Sequence, residues 1–210
     1  MPSSYVHSRL LVSNRQNCED RAEVFERDDG LVVVVADGAG GVRGGAIASE
    51  ALVETAGAVA GNATLDVHDA AMWTVLFKQI DVTLAAKMAG ETTGVVLIIG
   101  PKGLTGVSAG DSEAWIVTAN SIDNLTADQK RGRLGSGRAI PVPFHRDCLD
   151  GVLVVGTDGL FKYTSAERIA DAVRWDDVAS AAERLVALVR LRSGALHDDV
   201  GIVVAASQPY

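Results

Sequence analysis

The chain contains few of the residues that hold soft metals or build disulfide networks. Its 210 residues include two cysteines, Cys18 and Cys148, and four histidines. The cysteines do not have the spacing of a zinc site, and the histidines are scattered along the sequence. Because no other feature indicates secretion, we expect reduced thiols, a cytoplasmic protein and no zinc centre.

Long apolar runs and an excess of positive charge are also missing. No stretch approaches the roughly 18 uninterrupted apolar residues of a membrane span, and the N-terminus shows no pattern of a secretory signal. The formal net charge is −8, whereas contacts with nucleic-acid phosphates need a basic face. We therefore expect neither a membrane nor a nucleic acid as a partner.

Three familiar motifs of nucleotide-binding and hydrolytic enzymes are absent. The glycine-rich segment 38–45 lacks the Lys-Ser/Thr of a P-loop. It also lacks the dinucleotide fingerprint, because Arg43 stands at the sixth position from Gly38. No Gly-x-Ser-x-Gly elbow lies between a strand and a helix. The sequence thus gives no support for a nucleotide loop or a serine nucleophile.

The apolar pattern predicts an α+β fold in one domain, residues 1–210. A hydrophobic content of 48% is enough for one sizeable core. Strands are predicted at 5–13, 22–27, 31–36, 93–99, 104–109, 114–118, 121–126, 152–157 and 200–206, and helices at 46–60, 66–88, 164–173 and 176–192. Short turns between strands favour two antiparallel sheets flanked by helix pairs over a parallel, doubly wound sheet. An Asp-Gly turn predicts that the first three strands are neighbours.

Smaller features refine this expectation. Apolar residues at helical spacing in the second helix are predicted to face the core: Ala70, Trp73, Phe77, Ile80, Leu84 and Met88. A capping box of Thr164 and Glu167 is expected to begin the third helix. The polar, Gly/Arg-rich residues 127–140 are predicted to form a mobile loop.

Carboxylates stand at the ends of apolar runs. Asp37 and Asp158 each follow such a run, and Asp198 precedes the run 200–205. A charge beside packed strands needs compensation, so together these residues indicate a shared cation. A site made only of oxygen ligands suits Mg²⁺ or Mn²⁺ better than Zn²⁺. The alternative is that each aspartate merely begins an Asp-Gly turn.

Arg15 and Glu19 lie four residues apart, ahead of these runs. A guanidinium beside an acidic metal site could bind a phosphate through two parallel hydrogen bonds. The same two residues could equally form a surface ion pair.

An ordered set of motifs resembles the metal-dependent protein phosphatases of type 2C, in particular their compact bacterial members. The motifs are Arg15-x-x-x-Glu19-Asp20, Val35-Ala-Asp37-Gly38-x-Gly40-Gly41, Thr92-Thr93-Gly94-Val-Val, Ser108-Ala-Gly110-Asp111-Ser112, Thr157-Asp158-Gly159-Leu160 and Asp198-Asp199-Val-Gly-Ile-Val-Val. The resemblance covers nearly the whole chain. It implies a four-layer α-β-β-α sandwich that hydrolyses phosphoserine and phosphothreonine in proteins.

The resemblance also implies a ligand set for two Mg²⁺ or Mn²⁺ ions. Asp37 would bridge the ions. Asp158 and Asp198 would complete the coordination of one ion. The Gly38 carbonyl and Glu19 would complete the coordination of the other. The implied reaction is one-step hydrolysis by a metal-activated bridging water.

Further roles follow from the same resemblance. Arg15 matches the family's phosphate-binding arginine, and Asp111 matches a carboxylate that holds a weaker third ion. Lys162 stands where the family often has an aspartate, and Glu113 where it normally has an arginine. These departures argue against a third ion.

The stretch between Asp111 and Asp158 is short for the family. The flap beside the site is therefore trimmed, and substrate choice should differ from that of longer relatives. The expected partner is a phosphoprotein substrate, linked to a cognate serine/threonine kinase or its target. The alternative is a regulatory pseudophosphatase that binds a phosphoprotein or partner without turnover.

Overall fold

A computed structural model describes residues 5–14, 17–39, 41–129, 132–174 and 177–208, with the side chains of residues 41–43 left aside. The strands are β1 Tyr5–Val12, β2 Arg21–Arg27, β3 Gly30–Ala36, β4 Gly38–Ala39, β5 Glu91–Thr92, β6 Gly94–Gly100, β7 Gly103–Ala109, β8 Glu113–Val117, β9 Ile122–Asn124, β10 Val142–Arg146, β11 Val152–Gly156 and β12 Val200–Ser207. The helices are α1 Gly41–Ala60, α2 Ala70–Lys87, α3 Asp158–Phe161, α4 Ala166–Val173 and α5 Ala181–Val189.

The long strands form two antiparallel sheets of five strands each. One sheet has the order β1-β12-β11-β8-β9, and the other has the order β10-β7-β6-β3-β2. The short strands β4 and β5 pair separately, with Gly38 opposite Thr92. The expected α+β class with two antiparallel sheets is therefore confirmed.

Three groups of buried apolar side chains hold the layers together. One lies between the sheets and includes Val33, Val95 and Val203. A second packs α1 and α2 on the sheet that contains β3, and the third packs α4 and α5 on the sheet that contains β12. The layer order is thus helices, sheet, sheet, helices. Strands β3 and β6 are buried along their whole length, as their continuous runs of valine, leucine and isoleucine require.

The prediction for the first three strands is wrong for β1. Strands β2 and β3 do pair through the predicted turn. Strand β1, however, pairs with β12 over its full length in the other sheet. The partner of a strand is fixed by the apolar face that the strand buries, and here the partner strand lies almost at the other end of the chain.

The predicted helices need adjustment at their ends. Helix α2 begins at Ala70 rather than near residue 66, because the Asp69 carboxylate accepts a hydrogen bond from the Ala71 amide at 2.8 Å. In the predicted stripe, Trp73, Phe77, Ile80 and Leu84 are buried, but Met88 is 91% exposed and ends the helix in a left-handed conformation.

The two C-terminal helices are shorter than predicted. Ser165, not Thr164, caps α4, through its hydroxyl and the Arg168 amide. Helix α5 spans Ala181–Val189, whereas the sequence predicts 176–192. Residues 175 and 176, which include that predicted start, lie outside the described part of the chain.

The segment predicted as a mobile loop is anchored in its described part. Leu134 is fully buried and forms a two-hydrogen-bond bridge with Thr92. Strand β10, which the sequence did not predict, follows this segment and pairs with β7. Among the described residues, no helix combines the length and apolar content that crossing a membrane would require.

Candidate metal centre

Asp37 lies where the buried strand β3 ends. Its amide donates to the Thr93 hydroxyl at 2.9 Å, and its carbonyl oxygen accepts from the Thr93 amide at 2.8 Å. The Thr93 hydroxyl in turn contacts the Ser112 hydroxyl at 2.6 Å. Because the amide and the carbonyl group of Asp37 are both hydrogen-bonded, the backbone position from which its side chain extends is fixed. The contact of Thr93 with Ser112 places the neighbouring Asp111 at the same edge of the sheet.

Asp158 reaches this edge from the other sheet, at the start of the short helix α3. Thr157 fixes the position, because its amide donates to the Gly201 carbonyl and its hydroxyl accepts from the Gly201 amide, both at 3.0 Å. Gly159 follows in very close contact with the Asp199 carbonyl, where an added Cβ would overlap that oxygen. A glycine is therefore required after Asp158 for the two strand ends to approach.

The structure brings Asp37, Asp111 and Asp158 together from three separate strand ends. One carboxylate oxygen from each lies within 4.8 Å of the others. Asp158 is buried, and Asp37 and Asp111 are half-buried. Burial raises the pKa of Asp37 to about 7, and the charges of Asp158 and Asp111 add to this effect. A cluster of like charges at this spacing needs cationic compensation.

The donor set fits a hard divalent cation. All three side chains offer oxygen, which Mg²⁺ and Mn²⁺ prefer. The Oδ1 atom of Asp111 is buried and has no hydrogen-bond partner among the described residues. Buried polar atoms are rarely left unpaired, so this oxygen is available to coordinate a cation.

Asp20 is a further carboxylate at the site, and the sequence assigned it no role. It is 3% exposed, and its Oδ2 atom has no hydrogen-bond partner in the described structure. Burial and then the charge of Asp37 raise its pKa to about 8, while a hydrogen bond from Thr157 lowers it. The signals in the sequence were its position directly before β2 and its place at the end of the motif Arg15-x-x-x-Glu19-Asp20.

Asp199 ties the segment before β2 to the site. Its Oδ1 accepts from the Ser13 hydroxyl at 3.1 Å and from the Asn14 amide at 2.8 Å. Its Oδ2 accepts from the Glu19 amide at 2.9 Å. Arg15, the predicted phosphate ligand, lies outside the described residues, but the residues on either side of it are held by this one carboxylate.

The other predicted ligands lie around the cluster without joining the group of three. The Glu19 carbonyl accepts from the Ser49 hydroxyl at 2.6 Å. Gly38 packs against this carbonyl, since an added Cβ would lie 2.6 Å from the Glu19 oxygen. Asp198 is exposed, and its Oδ1 accepts from the Asp199 amide at 3.0 Å. Its charge nevertheless helps to raise the pKa of Asp37.

Lys162 supplies a cation within the chain itself. One turn after Asp158, its ammonium group donates to the Asp158 Oδ2. That hydrogen bond raises the pKa of Lys162, and the charges of Asp158 and Asp111 contribute. Glu113, the other departure from the family pattern, accepts from the Trp115 indole and the Asn124 amide, both at 2.7 Å. It is therefore engaged in β8 and β9.

This fold and this cluster define a protein of the two-sheet sandwich class with a site for divalent metal. The chain belongs to the protein phosphatase 2C family, whose model matches residues 11–132, more than half of the sequence. Members of this family are metal-dependent protein phosphatases, so the family predicted from the sequence is confirmed.

Solved structures with the same fold include several bacterial phosphatases. The S. agalactiae serine/threonine phosphatase has a TM-score of 0.86 and 21% identity, covering 97% of this chain and 100% of that one. The catalytic domain of the serine/threonine phosphatase PstP, solved with two manganese ions, has a TM-score of 0.83 and 21% identity. The match covers 98% of this chain and 99% of that one. The serine/threonine phosphatase Stp1 of Staphylococcus aureus has a TM-score of 0.79 and 19% identity, and the match covers 100% of this chain and 96% of that one. Comparison with curated protein sequences gave no match.

The raised pKa values predict how metal-free protein responds to pH. The folded pKa values of Asp37 and Asp20 lie near 7 and 8, above the ordinary 3.8. Between these limits the folded state binds more protons than the unfolded state, so stability is lost as pH rises. In EDTA, the melting temperature should fall from pH 5.5 to pH 8.

Two controls accompany this measurement. Mn²⁺ added at pH 8 should restore the melting temperature, since a ligand of the native state stabilises it by mass action. Asp37→Asn should make the pH dependence in EDTA shallower, because it removes one of the titrating groups. An equally steep dependence in that variant would show that Asp37 is not responsible.

The Lys162–Asp158 contact predicts an effect on ion number. Lys162→Asp should add a ligand near Asp111 and allow an additional Mn²⁺ ion to bind. Lys162→Met, the matched control, removes the ammonium without adding a ligand, so it should tighten Mn²⁺ binding without changing the number of ions. Isothermal titration with Mn²⁺ measures both quantities. Binding of more than two Mn²⁺ ions by the unmodified protein would contradict the prediction.

Proposed function

We propose that the chain is an active phosphatase that hydrolyses phosphoserine and phosphothreonine in proteins. The observation that carries this proposal is the convergence of Asp37, Asp111 and Asp158 within 4.8 Å of one another. These carboxylates come from both sheets, so the folded core fixes their spacing. The packing of both sheets on a shared apolar group also supports a single phosphatase domain over residues 1–210.

The proposed cofactor is a pair of Mg²⁺ or Mn²⁺ ions. The PstP catalytic domain, which shares this fold, was solved with two manganese ions. In this chain Asp37, Asp111 and Asp158 would hold the ions, with Glu19, the Gly38 carbonyl and Asp198 as further ligands. When bound, such ions neutralise charge on the phosphoryl oxygens and lower the pKa of a water molecule.

The residues of the chain then have two tasks. The carboxylates would hold the divalent ions at one edge of the sandwich. The positive charge of these ions would place a phosphate monoester there before reaction. Arg15 is proposed to grip the phosphoryl oxygens through a bidentate contact. Asp199 supports this role, because it holds Asn14 and Glu19 on either side of that residue.

The second candidate function is a pseudophosphatase, and the Lys162 contact favours it. The ammonium already satisfies Asp158, so it would compete with a metal ion for that carboxylate. Lys162 is exposed, however, with 57% of its side chain open to solvent. The ammonium group pairs with Asp158 alone among the described residues, whereas a divalent ion would be held by several carboxylates at once. We therefore favour the active enzyme.

The role of Asp37 can be tested by one substitution. Asp37→Asn should lower Mn²⁺-dependent hydrolysis of p-nitrophenyl phosphate by at least ~100-fold, since loss of a ligand costs more than loss of an outer-shell partner. In EDTA at pH 8 the same variant should melt at a higher temperature, because like-charge repulsion is relieved.

Asp171→Asn is the control for charge alone, as Asp171 is exposed on α4 and pairs with Arg174. It should change neither turnover nor melting. Near wild-type turnover in Asp37→Asn, with Mn²⁺ dependence intact, would refute the site assignment.

Arg15 can be tested by comparing two replacements. Arg15→Ala should raise KM and lower kcat for a phosphopeptide, while Mn²⁺ affinity stays nearly constant. Arg15→Lys should restore activity only in part, because an ammonium cannot make the bidentate contact. Unchanged kinetics in both variants would favour the alternative of a surface ion pair.

A further inference from the structure

A pocket lined largely by charged and polar side chains opens directly beside the candidate metal centre. Its volume is about 430 Å³, and Asp111, a member of the carboxylate cluster, forms part of its wall. Glu91, Arg133, Ser136 and Arg138 also line it. A pocket of this size accommodates a side chain of a bound peptide. A group placed in it would lie next to the reacting phosphate.

Both arginines in this pocket are available to a ligand. The guanidinium groups of Arg133 and Arg138 have no hydrogen bond or ion pair with any described residue. Most other described arginines do have such partners, for example Arg21 with Glu50 and Arg146 with Asp123. The positive charge of Arg133 also lowers the pKa of Asp37, which places this side chain within electrostatic range of the metal centre.

The segment that carries these arginines is held in place by the buried Asp81 of α2, which is 4% exposed. Its Oδ1 accepts from the amides of Gly135 and Gly137 at 2.8 and 2.9 Å, and its Oδ2 accepts from the Ala139 amide at 3.1 Å. Together with the buried Leu134, these bonds fix the segment from both sides. A positioned arginine binds an oxyanion at a lower entropic cost than a mobile one.

Two acidic groups in the same wall weigh against an anionic ligand. Asp111 is one, but its charge is compensated once the cluster holds divalent ions. Glu91 is the other, and it forms no ion pair of 4.0 Å or less with a described residue. Two guanidinium groups against one remaining carboxylate leave the metal-loaded pocket with an excess of positive charge.

We propose that this pocket is a subsite for a second oxyanion on the substrate peptide, a carboxylate or a further phosphate close to the phosphoresidue. Arg133 and Arg138 bind that group, and Asp81 positions the segment that presents them. This inference rests on the proposed phosphatase function and gives it a substrate preference, namely phosphoserine or phosphothreonine sites flanked by acidic residues.

The test compares three phosphopeptides of equal length. Each carries one target phosphoserine, followed directly by one alanine, by one glutamate or by one second phosphoserine. With Mn²⁺-loaded wild type, kcat/KM for the glutamate or doubly phosphorylated peptide should exceed that for the alanine peptide by about 3–10-fold, the range of partly exposed charge-assisted contacts. Arg133→Gln and Arg138→Gln should each reduce this ratio, and the double variant should bring it near one.

Arg168→Gln is the matched control, because Arg168 is an exposed arginine on α4 that does not line the pocket. Its ratio should equal that of the wild type. If kcat/KM differs between the glutamate peptide and the doubly phosphorylated peptide, the larger value identifies the oxyanion that the subsite prefers. A wild-type ratio near one for both arms, or a ratio that the double variant leaves unchanged, would overturn the proposal.

Hydrolysis of p-nitrophenyl phosphate separates this inference from the proposed function. Turnover of that substrate without any flanking preference would reject the subsite and keep the phosphatase. If no substrate is turned over, binding of a fluorescent glutamate-rich peptide to the Mn²⁺-loaded protein decides the matter by anisotropy. Weaker binding by the double variant than by Arg168→Gln would support the subsite, and equal binding would reject it.

Discussion

Repulsion among carboxylates is the constraint on which this molecule depends. Carboxylate oxygens of Asp37, Asp111 and Asp158 lie within 4.8 Å of one another, and the charge of Asp37 also raises the pKa of the buried Asp20. No isolated chain segment would adopt such a cluster, because each added charge is disfavoured by the others. The apolar packing between the two sheets holds the strand ends in place, and divalent ions bound there would offset the repulsion.

A second arrangement occurs twice around the site. In each case a buried carboxylate accepts hydrogen bonds from several backbone amides outside the helices and strands. Asp199 binds the amides of Asn14 and Glu19, two residues that lie between β1 and β2. Asp81 binds three amides within residues 135–139. Ionised acceptors make stronger hydrogen bonds than neutral ones. Loops that would otherwise move can therefore carry functional side chains such as Arg133.

The sequence predicted the parts of the structure that depend on local pattern. Apolar runs that end in Asp37 and Asp158 predicted both the strands and the acidic edge, because a charge can follow a buried strand only where something compensates it. The resemblance to type 2C phosphatases predicted the four-layer order and added Asp111. Its assignment of Asp111 to a weaker third ion stays a prediction, and the structure places an Asp111 oxygen within 4.8 Å of oxygens of Asp37 and Asp158.

The remaining features depend on contacts between distant residues. The pairing of β1 with β12 follows from which face each strand buries, and no turn signal encodes it. Asp81 has the sequence context of an ordinary polar position on a helix, and only its burial against residues 135–139 reveals its role. Asp20 is similar, since it precedes β2 of one sheet and its neighbour Thr157 follows β11 of the other. Long-range proximity of this kind cannot be inferred from periodicity alone.

Anomalous diffraction from crystals of the Mn²⁺-loaded protein tests the central claim most directly. The account predicts manganese peaks at the edge where the sheets meet, within bonding distance of carboxylate oxygens of Asp37, Asp111 and Asp158. Peaks confined to other acidic surfaces, with these three carboxylates free of metal and Asp158 still paired with Lys162, would contradict it.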